Sequence, residues 1–132
     1  MKGITKIFCL LLVVVSLLSS CNSDPKKKLI GEWKEYCGVG QETDVDYSDT
    51  YKIQLTADNE IILSCTSRDN YLFDKILFDG NELSFRKENT IDPNEKFYVY
   101  YKLKLSKDGE WMEGPISNSR NQTDYVKWKK IH

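Results

Sequence analysis

Histidine is all but missing from this chain: of 132 residues the single one is His132, the last. Nucleophilic catalysis by a Ser–His or Cys–His pair needs a base held beside the nucleophile, so that route is closed in practice. Cys-x-x-Cys spacing is missing too, and without an internal histidine zinc has no ligand set. Nor does one sign of charge dominate. Nineteen basic residues face twenty acidic ones, a formal charge of -1, which leaves no electrostatic footprint for nucleic acid. No spacing among the acids singles out a pair for glycoside hydrolysis. We therefore expect no enzyme, cofactor or metal site. Long apolar runs are absent after residue 20. With 30 % charged residues and a mean hydropathy of -0.52, a polytopic membrane protein is excluded. Disorder is disfavoured by 12 % aromatic content. The length allows one domain.

The first twenty residues differ from the rest. Lys2 and Lys6 precede an apolar stretch, 7–18, broken only by Cys9 and Ser16. Twelve helical residues span about 18 Å against about 30 Å of hydrocarbon, too short for a comfortable crossing. A basic start, a short apolar core and small residues form the pattern of a secretory signal peptide. At its end, Leu18-Ser19-Ser20-Cys21 resembles a bacterial lipobox. The resemblance implies cleavage before Cys21 and acylation of that cysteine, palmitate included. It implies a bacterial envelope lipoprotein, and Asn22 rather than Asp after the cysteine implies the outer membrane. Residues 1–20 are then the signal peptide and 21–28 a lipidated tether, polar and holding Lys26-Lys27-Lys28. That lysine run reads as solvated spacer that could also lie against anionic headgroups.

From residue 29 onward the hydrophobic period is two. Tyr51, Ile53 and Leu55 alternate with Lys52 and Gln54; Phe97, Val99, Tyr101, Leu103 and Leu105 alternate with Tyr98, Tyr100, Lys102 and Lys104. Turn residues such as Asp79-Gly80-Asn81 and Lys107-Asp108-Gly109 punctuate the runs. Strands are expected at 30–37, 51–56, 60–67, 71–78, 82–87, 97–106, 110–116 and 123–131. Short connections make neighbours antiparallel, so the fold expected is all-β: an eight-stranded up-and-down meander closing into a small barrel.

Leu29-Ile30-Gly31-Glu32-Trp33, opening the first strand directly after a tether, resembles the start of bacterial lipocalin-like lipoproteins, which carry Gly-x-Trp at this place. The resemblance implies a lipocalin-like barrel over 29–132. It also implies that Trp33 packs across the closed end near a basic residue of the last strand, here Lys127 or Lys129.

Strand eight should return Trp128 to the same end as Trp33, so these two indoles form the barrel base. The opposite rim receives the two longest connections, and there Tyr36, Tyr51 and Phe97 are the expected ligand-lining residues. The first of these connections holds Asp44, Asp46 and Asp49, oxygen ligands that lack the turn glycine and distal glutamate of an EF-hand and read as solvated. Cys9 leaves with the signal and Cys21 takes the lipid, so a Cys37–Cys65 disulfide is expected in an oxidising compartment. Two strand spacings, about 10 Å, separate them, so Cys37 would have to leave its strand. The function expected is a monomeric, lipid-anchored barrel binding a small apolar ligand at its mouth. The alternative is a non-enzymatic protein-interaction lipoprotein with a filled barrel, using its loops or the Tyr98/Tyr100 face. An empty or a packed lumen separates the two.

Overall fold

The period-two alternation does become strands. A computed structural model describes residues 24–37, 49–90 and 92–132. The signal segment, Cys21 and the acidic connection 38–48 lie outside the described residues. Eight strands form one sheet: β1 (Gly31–Cys37), β2 (Thr50–Leu55), β3 (Ile61–Cys65), β4 (Tyr71–Phe78), β5 (Glu82–Asn89), β6 (Phe97–Leu105), β7 (Trp111–Asn118) and β8 (Thr123–Ile131). Their order is β3-β2-β1-β8-β7-β6-β5-β4, antiparallel throughout, so the meander curls into a nearly closed barrel. First and last strands join through a ladder from Glu32↔Ile131 to Cys37↔Val126. The seam falls instead between β3 and β4, which no backbone ladder connects among the described residues. Side chains bridge it: Tyr51 of β2 meets Phe73 of β4 edge-on at 6.0 Å.

Alternation decides what each strand contributes. Trp33, Tyr51, Ile53, Leu63, Leu83, Phe85, Tyr101, Leu103, Met112, Val126 and Trp128 all point inward and are buried, while Lys102, Lys104 and Lys129 point out and are exposed. One inward position must be empty. A Cβ on Gly114 of β7 would lie 1.8 Å from the Lys102 carbonyl oxygen, so only glycine lets β6 and β7 approach this closely.

The segment read as a tether is folded from Asp24 on. Pro25–Leu29 forms a 3-10 helix, capped by the Asp24 carboxylate accepting from Lys26 N. It crosses one end of the barrel. Pro25 abuts Gly80, Lys26 Nζ donates to Asn59 O at 3.0 Å, and Lys28 packs on the turn at Gly109. Leu29 is fully buried beneath it, and its carbonyl accepts from Trp33 Nε1 at 2.9 Å.

Candidate functional site

The barrel interior is layered. At the closed end lie Leu29 and Trp33. The basic side chain over the Trp33 ring is Lys130, at 5.0 Å, rather than the expected Lys127 or Lys129. Strand parity is the reason: Lys127 and Lys129 point outward and sit over the ring of Trp111, at 3.6 and 5.1 Å.

The middle layer is aromatic. Tyr51 stacks on Trp128 with ring centroids 4.4 Å apart, and Phe85 on Tyr101 at 4.5 Å. Trp128 thus belongs to the centre and not to the base. The ladder sets it opposite Glu35, whose carboxylate accepts its Nε1–H at 2.8 Å.

A buried polar layer follows. Lys87 on β5 shares the inward face of Leu83 and Phe85 and is 7 % exposed. Its ammonium donates to the Tyr51 hydroxyl at 2.8 Å and the Tyr101 hydroxyl at 2.9 Å. It also lies 4.4 Å from the centroid of the Tyr71 ring. Glu35, 6 % exposed, joins this group through Trp128 and through its electrostatic coupling to Tyr101. Asp49 braces the seam: it accepts from Arg68 Nε at 2.9 Å, Ser67 Oγ at 3.1 Å and Tyr71 OH at 3.5 Å. Burial drives the hydroxyls of Tyr51 and Tyr101 far above the usual tyrosine range, and the Glu35 charge pushes the same way. Among the described residues no buried side-chain polar atom lacks a partner. These groups satisfy one another, which suits a structural network better than a reactive one.

The rim opposite the 3-10 helix holds two hollows. A recess of about 400 Å³ is walled by Phe97, Val99 and Ile116, with Asn118, Thr123 and Asp124 around it. On its other side Phe97 borders a second hollow, where Arg120 lies 5.3 Å from the ring centroid and pairs with Glu95.

Of the three expected ligand-lining residues, only Phe97 reaches this rim recess. Tyr51 is fully buried, held down by Trp128 and Lys87. Tyr36 falls on the outer face, since Trp33 and Glu35 take the inward positions of β1, and Lys34 lies 5.6 Å from its ring centroid. The expected Cys37–Cys65 bond is not formed; both cysteines are free. Cys37 stays in β1 opposite Val126, whereas Cys65 is level with Tyr51, which is itself level with Trp33, four residues back along β1. Two strand spacings and four residues along the strand put them far beyond the Cα reach of about 7 Å. Cys37 instead faces Glu35, and partial burial with that carboxylate pushes its thiol up to about 11.

Glu35 and Lys87 were missed as functional candidates. The signal was present: in Leu83-x-Phe85-x-Lys87 a lysine continues the apolar face, and in Trp33-x-Glu35 a glutamate does.

Comparison with protein-family models, curated proteins and solved structures finds no match for this chain. The site therefore has to be read from its own geometry.

Proposed function

We propose that this chain is a lipid-anchored protein of the bacterial envelope whose lipocalin-like barrel is a packed, non-enzymatic scaffold acting through contacts with a protein partner. The observation that carries this is the lumen. Where a ligand of a hollow barrel would sit, Trp128, Tyr51, Phe85 and Tyr101 stack in pairs and Lys87 fills the space above them. The barrel topology, Gly31-x-Trp33 at the closed end and Lys130 over the indole support the lipocalin-like part. The lipobox-like Leu18-Ser19-Ser20-Cys21 supports the anchor and the outer membrane. Outside, Leu77 is 70 % exposed and Tyr100 42 %, and both border a largely apolar groove of about 430 Å³ with Pro115.

A photo-crosslinking residue at Leu77 or Tyr100, expressed in the native envelope, should give one discrete protein adduct. Uniform failure there, together with a small molecule that co-purifies with the protein in native mass spectrometry, would overturn the reading. The rim recess favours a second reading, a small ligand at the mouth. Its lining mixes Phe97 and Ile116 with Asn118 and Asp124, so that ligand would be partly polar rather than apolar. Labelled fatty acid should be incorporated into the protein, and Cys21→Ala should abolish it.

A further inference from the structure

The closed end of the barrel carries an asymmetric charge pattern that the packed-scaffold reading does not use. Lys27 and Lys28 of the 3-10 helix are exposed. Lys28 Nζ reaches the Lys107 carbonyl at 3.4 Å, so the helix lies against the β6–β7 turn. Beside that turn, Trp111 opens β7, half-buried, with Lys127 and Lys129 over its ring. Lys104, Lys107, Trp111 and Lys127 line one groove of about 410 Å³ together with a single acid, Glu113. Ile30 and Ile131 are 44 % and 42 % exposed at the same end.

The acids of this sector are fewer than its lysines and interspersed with them. Asp108 accepts from Ser106 Oγ and Glu110 N, Glu110 pairs with His132, Glu113 lines the same groove opposite Lys104 and Lys127, Glu82 stands opposite Lys104, and Glu32 is exposed opposite Ile131. Across the same end, the β2–β3 and β4–β5 turns carry Asp58, Glu60 and Asp79 instead. One side of the closed end therefore holds an excess of lysines around a half-buried indole, while the turns of the other carry mostly acids.

Chain length supplies the occupant. Only Asn22 and Ser23 separate Cys21 from Asp24, and Asp24 is fixed to this end by its hydrogen bond from Asn59 Nδ2 at 2.9 Å. Three residue steps span about 10 Å at most. With the acyl chains of Cys21 in the bilayer, Asp24, held at the β2–β3 turn of the closed end, has to rest within that distance of the headgroups, so this end of the barrel faces the membrane.

We propose that the sector formed by Lys27, Lys28, Lys104, Lys107, Trp111 and Lys129 docks on anionic phospholipid headgroups, tilting the barrel toward its β7–β8 side and aiming the Phe97 rim away from the membrane. The proposal rests on acylation at Cys21. Lysines at an anionic surface each raise partitioning roughly fivefold, and an indole settles at the headgroup level.

Trp111 makes the test direct, because Trp33 and Trp128 are fully buried and Trp111 is the one partly exposed indole among the described residues. The mature protein, its acylation checked by mass, is reconstituted in vesicles of phosphatidylglycerol and phosphatidylethanolamine holding a headgroup-linked nitroxide quencher. Fluorescence should be quenched about twofold more than in purely zwitterionic vesicles, and the difference should shrink at high salt. Trp111→Phe should remove the quenchable fraction; Lys104→Glu with Lys107→Glu should reduce it, the fold being checked by circular dichroism. Quenching no greater than for Trp111→Phe overturns the docking face. A mass without acyl chains instead refutes the anchor. Added to that unacylated product, the same vesicles still read the face through Trp111.

Discussion

Replacing Lys87 with methionine keeps most of its volume and removes its charge. In the wild type the ammonium sits 2.8 and 2.9 Å from two hydroxyls inside a barrel, with Glu35 buried in the same layer. Two effects oppose each other. Losing a buried charge relieves its desolvation, but the Tyr51 and Tyr101 hydroxyls lose the ammonium they bond and Glu35 loses a nearby opposite charge. Leaving buried polar groups without a partner typically costs about 1–3 kcal/mol each, so a net loss of about 3–5 kcal/mol is expected. With a urea slope near 1.5 kcal/mol/M for a domain this size, the midpoint should fall by about 2–3 M. Lys87→Met combined with Glu35→Gln should recover at least about 1.5 kcal/mol of that loss, since the orphaned charge is then gone. Urea unfolding followed by tryptophan emission reads both variants, as Trp128 contacts Glu35 and Tyr51 directly. A neutral Lys87→Met, or strictly additive costs in the double variant, would refute the idea that these two charges share one buried network.

Gly114→Ala should destabilise by about 3 kcal/mol or more, because its Cβ meets a backbone oxygen that cannot move aside; thermal unfolding checks this. Raising pH should unfold the barrel from about pH 10 upward. Tyr51 and Tyr101 have folded-state pKa values raised above the unfolded value, so stability is full below pH 10 and is lost as unfolded tyrosines ionise, about 3 kcal/mol by pH 11 for the two; circular dichroism against pH reads it. Alkylation under non-reducing, denaturing conditions should find both Cys37 and Cys65 free. In the folded state at pH 8 Cys37 should react roughly tenfold more slowly than an ordinary thiol: its thiolate is about a hundredfold scarcer, but the more basic thiolate is the better nucleophile.

The strands were legible because turn residues and alternation agree over nearly every run, and short connections leave a meander little choice. Closure was legible only in outline. Closing a meander joins its first and last strands, and β1 and β8 do carry a ladder; the gap that remains opens between β3 and β4. The 3-10 helix was hidden because Lys26-Lys27-Lys28 looks like solvated spacer, while what holds it to the barrel, buried Leu29 under the Trp33 indole and hydrogen bonds to the distant Asn59 and Lys107, is not local in the sequence. Tyr51 was placed on the correct face but not at the correct depth, because burial depends on Trp128 and Lys87, which lie 77 and 36 residues away. Polarity misled for Lys87 and Glu35, whose parity pointed inward all along.

The seam between β3 and β4 leaves two strands with one edge each facing no partner strand, the arrangement by which sheets of separate molecules add to one another. β4 is poorly suited to such addition. Its register shifts between Asp74 and Leu77, and Lys75 adopts a positive φ of 52° there, so the edge is kinked partway along and offers no straight template. β3 is only five residues long, too short to seed much pairing. Among the described residues, the barrel's opening is thus kept from becoming a point of polymerisation: its two free edges are one too short and one too bent to add a strand from a second molecule.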